Sequence, residues 1–254
     1  MDQNLNIKVQ KKLSFTYDAC VYNTQSAEVI LPIVFQEIKP KSVLDVGCGN
    51  GSWLKVCEKL GVENYLGLDG EHLSPNDLLI PYEKFKEQDL RQPFDLQNKY
   101  DLVLCLEVAE HLPEQAADGL VQSLTTHGDI ILFSAAIPYQ GGFMHINEQY
   151  PSYWQKKFES YGFYFYDLVR PQIWTNPKVQ LWYRQNIFVV AHKDSFIAKK
   201  YRASSDFIDF VHPELYEKKA YQALRAELIE KGELGITLAL KVLKNSILKK
   251  IWKK

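Results

Sequence analysis

The stretch Ser42-Val43-Leu44-Asp45-Val46-Gly47-Cys48-Gly49-Asn50-Gly51-Ser52 constrains the fold more than any other part of the chain. A short apolar strand over 42–46 runs directly into three alternating glycines, and helical spacing takes over at 51–60. Glycine is required at such a strand-to-helix turn where the backbone enters positive φ, or where a ligand approaches too closely to leave room for a Cβ. The turn therefore reads as a ligand cradle. Its spacing is GxGxG, and Ser52 stands where a dinucleotide fingerprint places its third glycine, so nicotinamide binding is disfavoured. No Gly-Lys-Ser/Thr follows, which excludes a P-loop.

The pattern around the turn extends it into a fold. Short β-branched or Leu-rich runs at 42–46, 64–69, 84–87, 101–106, 129–134, 162–168 and 186–192 alternate with helical stretches at 24–38, 51–60, 114–125 and 149–161. Alternation of this kind predicts a parallel sheet covered by helices, here a Rossmann-like, doubly wound α/β domain with a mostly parallel seven-stranded sheet over 1–192. Residues 1–23 are expected to form an N-terminal arm or lid. A long connection over 169–185 carries Pro171, Trp174, Pro177 and Trp182, and it predicts a late hairpin strand as an antiparallel edge. From 193 to 254 no strand signal remains. Helical spacing over 213–231 and 234–254, parted by Gly232 and Gly235, predicts a C-terminal helical appendage.

Composition closes off several function classes. With 254 residues and 46% hydrophobic content the chain can bury roughly 70–75% of its unfolded surface. Thirty Lys and Arg against 31 Asp and Glu leave a formal charge of −1, so no overall positive field draws the chain to nucleic acid. The four cysteines, Cys20, Cys48, Cys57 and Cys105, form no CxxC pair, which argues against a disulfide framework or a zinc knuckle. The start lacks the apolar core of a signal peptide and no apolar stretch approaches the roughly 20 residues of a membrane span, so a cytoplasmic location is expected.

Two acidic signals follow the cradle. Asp69 ends the second strand, 24 residues after Asp45, where a carboxylate can accept both hydroxyls of a ribose. Gln88-Asp89-Leu90 follows the next short strand, positioned for an adenine edge. With these residues the chain resembles the class I S-adenosylmethionine-dependent methyltransferases: LDVGCGNG matches the first motif of that family, LGLDG the second, EQDL the third and DLVLCLEVAEHL the fourth. The resemblance implies S-adenosylmethionine as cofactor. It places Gly47, Cys48, Gly49 and Gly51 along the methionine end, Asp45 at the amino group, Asp69 with Gly70 at the ribose, Asp89 and Leu90 at the adenine, and Leu106 and Glu107 beside the cofactor. Cys48 reads as a small turn residue rather than a catalytic thiol.

Methyl transfer from a sulfonium is an in-line displacement in which the protein aligns the acceptor and removes its proton. A hydroxyl acceptor therefore needs a base or a metal. Glu107, Glu110 and His111 share one face if the segment after the fourth strand is a helical turn. His145 follows the fifth strand beside the Gly141-Gly142 pair, a potential lid hinge. Two carboxylates and two imidazoles from two loops suit a divalent ion, Mg²⁺ or Mn²⁺. The ExxEH arrangement with a later His resembles that of small-RNA 2′-O-methyltransferases, and ExxEH alone resembles that of ubiquinone-pathway O-methyltransferases, which implies a metal. Glu on the cofactor with His merely packing is the competing reading, as is His145 acting as a metal-free base, since an unperturbed imidazole pKa of about 6.5 suits proton abstraction near neutrality.

The run HINEQYPSYWQKKFESYGF resembles a segment of methyltransferases of bacterial surface-glycan and secondary-metabolite pathways, which implies a sugar hydroxyl, nucleotide-activated or glycan-linked, as acceptor. Aromatic residues concentrate between Phe133 and Phe188. Phe163, Phe165 and Phe188 are expected in the core, whereas Tyr139, Tyr150, Trp154, Trp174 and Trp182 are candidates for stacking on sugar. RNA is a weaker acceptor because the catalytic half has no basic stripe, and another small-molecule acceptor or a non-catalytic cofactor-binding partner subunit remain as alternatives. In the last helix Ile236, Leu240, Leu243, Ile247 and Ile251 form one stripe among Lys241, Lys244, Lys249, Lys250, Lys253 and Lys254, with no acid after Glu233. Such a helix can dock on its own domain, on a second subunit as a homodimer, or on an anionic membrane.

Overall fold

The structure, a computed structural model, describes residues 23–70, 75–204, 208–232 and 236–251. The arm expected before residue 23, with Cys20, lies outside the described residues, as do Glu233, Gly235, Lys253 and Lys254. Seven strands form one sheet: β1 (Ser42–Val46), β2 (Asn64–Asp69), β3 (Phe85–Glu87), β4 (Leu102–Leu106), β5 (Ile130–Ser134), β6 (Phe163–Tyr166) and β7 (Phe188–His192). Their order is β3-β2-β1-β4-β5-β7-β6. All pairings from β3 to β5 are parallel, and β7 runs antiparallel to both of its neighbours. The chain winds outward from β1 to β3 and then returns to place β4 on the other side of β1. That reversal opens a crevice at the carboxyl ends of β1 and β4, where open α/β sheets bind ligands.

Both faces of the sheet are covered because its strands are apolar on both sides. Strand alternation puts Val43, Leu102, Leu104 and Leu132 on one face, packed with Ile30, Leu31 and Val34 of α1 (Gln25–Ile38) and Leu54, Val56 and Cys57 of α2 (Ser52–Lys59). Leu44, Val103, Cys105 and Phe133 line the other face. There they meet Leu120, Val121 and Leu124 of α3 (Ala117–His127) and Trp154 and Phe158 of α4 (Pro151–Glu159).

The late part of the sheet differs from expectation. β7 is not at the edge; it lies between β5 and β6, so β6 is the outer strand. Phe188, Val189, Val190 and Ala191 are all buried, and an apolar run without polar alternation belongs inside a sheet. The connection over 169–185 carries two short helices, α5 (Arg170–Ile173) and α6 (Leu181–Asn186), and residue 186 is helical rather than the start of a strand. A buried Arg170 ties this connection down. Its guanidinium pairs with Asp167 at 2.8 and 3.0 Å, donates to the Gln185 carbonyl at 3.1 Å and stacks 3.9 Å from the Phe188 ring centroid.

A further short helix, α7 (Phe196–Lys200), absent from the sequence reading, is capped by Ser195, whose hydroxyl accepts from the Ala198 amide. Ile197 and Ile208 are buried in the two core layers, and the compact unit holding the sheet runs to Asp209. A second unit covers Phe210–Lys254 and contains α8 (Pro213–Glu230) and α9 (Ile236–Ile251). Among the described residues no helix is long and apolar enough to cross a membrane.

Candidate active site

The glycine turn sits at the carboxyl end of β1 as the sequence requires. Gly47, Gly49 and Gly51 all adopt positive φ, at 83°, 52° and 79°. Space reinforces the conformational demand, because a Cβ on Gly47 would lie 2.3 Å from Val108 Cγ2 and one on Gly51 2.7 Å from Ile80 Cγ1. The turn is fastened to the neighbouring strand, since the amides of Gly47 and Cys48 donate to the Leu68 carbonyl at 2.7 and 2.9 Å. Gly49 donates to Asp69 Oδ2 at 2.8 Å, so the acid at the end of β2 and the cradle are one unit.

Asp45 is the electrostatic centre of this cradle. It is almost fully buried, and its Oδ2 has no hydrogen-bond partner. Burial, with a smaller contribution from Asp69, pushes its pKa up to about 8. A buried carboxyl oxygen without a donor is costly unless a cation or donor arrives. The ammonium group of a methionine moiety answers that need, so the residues present fit S-adenosylmethionine. Gly70 is exposed just beyond β2. Leu90, three residues past β3, and Leu106, which ends β4, are buried and apolar, chemistry that suits a purine face. Asp89 is already engaged: Arg91 takes both its oxygens at 2.8 and 2.9 Å and holds its carboxyl below the usual range. Cys48, Cys57 and Cys105 are free and buried, and burial raises each thiol pKa, which fits packing rather than nucleophilic roles.

After β4 the expected helical face is only partly realised. Ala109–His111 form a single 3₁₀ turn, and Glu107 precedes it in the left-handed region at φ 55°. The two carboxyls stay neighbours but meet different surroundings. Glu107 turns to Asn186 Nδ2, at 3.1 Å, and Gln140 Nε2, at 3.3 Å, while its own amide donates to Ser134. Glu110 is fully buried with no donor on either carboxyl oxygen. Burial drives both carboxyls upward in pKa; the proximity of Glu107 adds to the shift at Glu110, and the bond from Asn186 opposes it at Glu107.

The loop after β5 then folds onto this turn. The amides of Ile146 and Asn147 donate to the Glu110 carbonyl at 2.8 and 3.0 Å, which brings the His145 ring to 4.9 Å from that of His111. Ligand atoms of Glu110, His111 and His145 lie within 4.8 Å of one another. Of the four residues expected in a metal site, three converge; Glu107, a neighbour of Glu110, lies outside that cluster and is engaged by Asn186 and Gln140. Burial, followed by the nearby His145, lowers the His111 pKa and favours a neutral, ligating imidazole. His145 Nδ1 donates to Glu148 at 2.9 Å, leaving Nε2 on the side of Gly142.

Four residues of this site escaped the sequence reading: Ser134, Gln140, Glu148 and Asn186. Only Glu148 carried a signal, its place three residues after His145. Among the aromatic candidates Tyr139 and Tyr150 are exposed, but Trp154 is core, packed on Phe133 at 5.5 Å. Trp174 and Trp182 are half-buried. Phe163, Phe165 and Phe188 are core, as expected.

Comparison with known proteins places this geometry in a family. A family model described as a methyltransferase domain matches residues 22–166, more than half of the chain. The chain is similar to a ubiquinone biosynthesis O-methyltransferase of Hydrogenovibrio crunogenus, 29% identical over 130 residues, which covers 47% of this chain and 48% of the relative. It is also similar to a tRNA U34 carboxymethyltransferase of Helicobacter pylori, 31% identical over 108 residues, with 37% and 41% covered. The chain thus spans half or less of the length of these relatives. Among solved structures, the magnesium protoporphyrin IX methyltransferase from Synechocystis PCC 6803 with bound SAH aligns at 18% identity and a TM-score of 0.48, with 75% of this chain and 95% of that one covered. The chain belongs to the methyltransferase-domain family.

Proposed function

We propose that the protein transfers a methyl group from S-adenosylmethionine to a hydroxyl oxygen of a sugar, nucleotide-activated or glycan-linked, with a divalent ion on Glu110, His111 and His145. The observation that carries this reading is the convergence of those three residues beside the cradle, around a buried Glu110 carboxyl that no protein donor satisfies. A carboxylate and two imidazoles offer mixed oxygen and nitrogen ligation, which suits Mn²⁺ better than the all-oxygen preference of Mg²⁺. Glu110, His111 and His145 would hold such an ion, which would lower the pKa of a coordinated acceptor hydroxyl.

The chain's own residues supply the remainder. The glycine turn and Asp69 hold the cofactor, Asp45 receives its amino group, and the loop pinned on the Glu110 carbonyl presents His145. Tyr139, Phe143 and Tyr150 are exposed on and beside that loop and offer ring faces to the C–H surfaces of a sugar. Location in the cytoplasm and a place in surface-polysaccharide or capsule assembly accord with this reading. The test is methyl transfer to nucleotide-sugars followed by mass spectrometry, with short RNA and small amines in parallel. Product only on RNA or amines refutes the sugar assignment.

A second reading keeps the acceptor and dispenses with the ion. The Glu148–His145 pair leaves Nε2 as a proton acceptor, the arrangement of an oriented general base. Exhaustive chelation separates the two: loss of turnover with recovery on Mn²⁺ supports the ion, and full turnover supports the base.

A further inference from the structure

The second unit ends its described residues in a helix that is apolar and cationic together. Along α9 the side chains of Ile236, Leu240, Leu243 and Ile247 are 79%, 59%, 57% and 51% exposed. At about 100° per residue these four fall within an arc of about 60°, one narrow stripe. Large aliphatic side chains aligned and exposed in this way leave apolar area in water that a docking surface recovers. Charge then selects the surface. From Ile236 to Lys254 the sequence holds six lysines and no acid, although the whole chain carries a formal charge of −1. Lys244 stands about 40° beyond the edge of the stripe and Lys241 about 100° beyond it on the same side, both exposed.

Two copies of α9 packed stripe to stripe would bring lysines against lysines with no acid in the helix to pair them, a like-charge arrangement that opposes association. An anionic lipid surface satisfies both features, since lysines meet headgroup phosphates while the aliphatic stripe enters the acyl boundary. Trp252, next along the sequence, is of the residue type enriched at that depth. We infer that α9 is a peripheral docking helix for an anionic phospholipid bilayer, which brings the methyltransferase unit to acceptors assembled at the membrane. The inference stands on α9 alone and is independent of the acceptor proposed above.

Vesicle co-sedimentation of the full chain tests it. Three proteins are compared: wild type, the pair Leu240→Glu with Leu243→Glu, and the pair Lys241→Glu with Lys244→Glu. Wild type is expected to pellet with equimolar phosphatidylglycerol and phosphatidylcholine, to stay in solution with phosphatidylcholine alone, and to be released by high salt. Each pair is expected to lower partitioning by about tenfold or more, because each lysine near the surface and each buried aliphatic side chain contributes several-fold. Calorimetric S-adenosylmethionine affinity, read in parallel, confirms that the variants fold. Absence of binding to the anionic vesicles overturns the inference, as does equal binding to neutral ones. So does a concentration-dependent dimer in sedimentation velocity that Leu240→Glu with Leu243→Glu dissolves, which assigns the stripe to a second copy.

Discussion

One oxygen of Glu148, Oε1, accepts both the Nδ1–H of His145 at 2.9 Å and the backbone amide of Gly141 at 2.7 Å. The same carboxylate therefore closes the loop and sets the tautomer of the imidazole that the loop carries, in the manner of the outer-shell partners of ligating histidines. Glu148→Ala is expected to lower kcat by about 10- to 100-fold, the range for removal of such a partner. Glu148→Gln keeps an acceptor oxygen and retains most of the rate. Cofactor affinity measured by calorimetry stays near wild type in both, and a parallel loss of affinity assigns the loop to the cofactor site instead.

Asp69 accepts the Gly49 amide on Oδ2 at 2.8 Å, so it supports the cradle, and in the proposed reading its carboxylate takes the ribose hydroxyls. Asp69→Ala is expected to weaken S-adenosylmethionine by about 1.5–3 kcal/mol, roughly 10- to 100-fold, through lost charge-assisted hydrogen bonds. Isothermal calorimetry measures this directly. Unchanged affinity places the cofactor elsewhere.

Asp45 makes the ligand-free protein sensitive to pH in a defined sense. Its pKa is about 8 in the folded chain against an ordinary 3.8, so the native state holds a proton that the unfolded state has released. The stability tied to that proton is fully present below about pH 4 and is lost as pH rises to about 8. Glu107 and Glu110, whose pKa values are also raised, act in the same direction. Asp45→Asn is expected to flatten the decline and to leave the ligand-free protein more stable than wild type at pH 8, by on the order of a few kcal/mol. Denaturant titrations across that window decide, and identical slopes for the two proteins remove Asp45 from the linkage.

These outcomes follow the line between what the sequence reveals and what only the fold supplies. The cradle was legible because Gly47, Gly49 and Gly51 lie within five residues of one strand, where local backbone chemistry dictates the turn. Inner strands such as β4 and β5 were legible as unbroken apolar runs. The insertion of β7 between β5 and β6 was not, since pairing order is set by packing across the sheet rather than by any local period. Glu107 reads by spacing as a companion of Glu110, and only tertiary contact shows it diverted to Asn186, which arrives from a helix 79 positions along the chain. Trp154 failed for a similar reason. Its place at a helix start suggests the surface, yet α4 lies against the sheet and buries that face.

The diversion of Glu107 carries a cost that experiment can separate from its use. A non-glycine residue at φ 55° is held in the left-handed region at roughly 1–2 kcal/mol, and this one also places a carboxyl beside buried Glu110. Such strain persists where surrounding contacts over-determine the residue, as Ser134, Asn186 and Gln140 do here. Glu107→Gly removes both the strain and the charge pair, whereas Glu107→Ala removes the charge and keeps the strained backbone. Glu107→Gly is therefore expected to unfold at a higher temperature than Glu107→Ala, by the equivalent of about 1 kcal/mol. In both variants Asn186 and Gln140 lose the carboxylate they clamp, and methyl transfer is expected to fall by about 10²-fold or more. Asn186→Ala, which frees Glu107 without altering its backbone, should reproduce part of the activity loss with no gain in stability. Equal melting temperatures for the glycine and alanine variants would show that no strain is stored at Glu107, and preserved turnover in either would remove its carboxylate from the site.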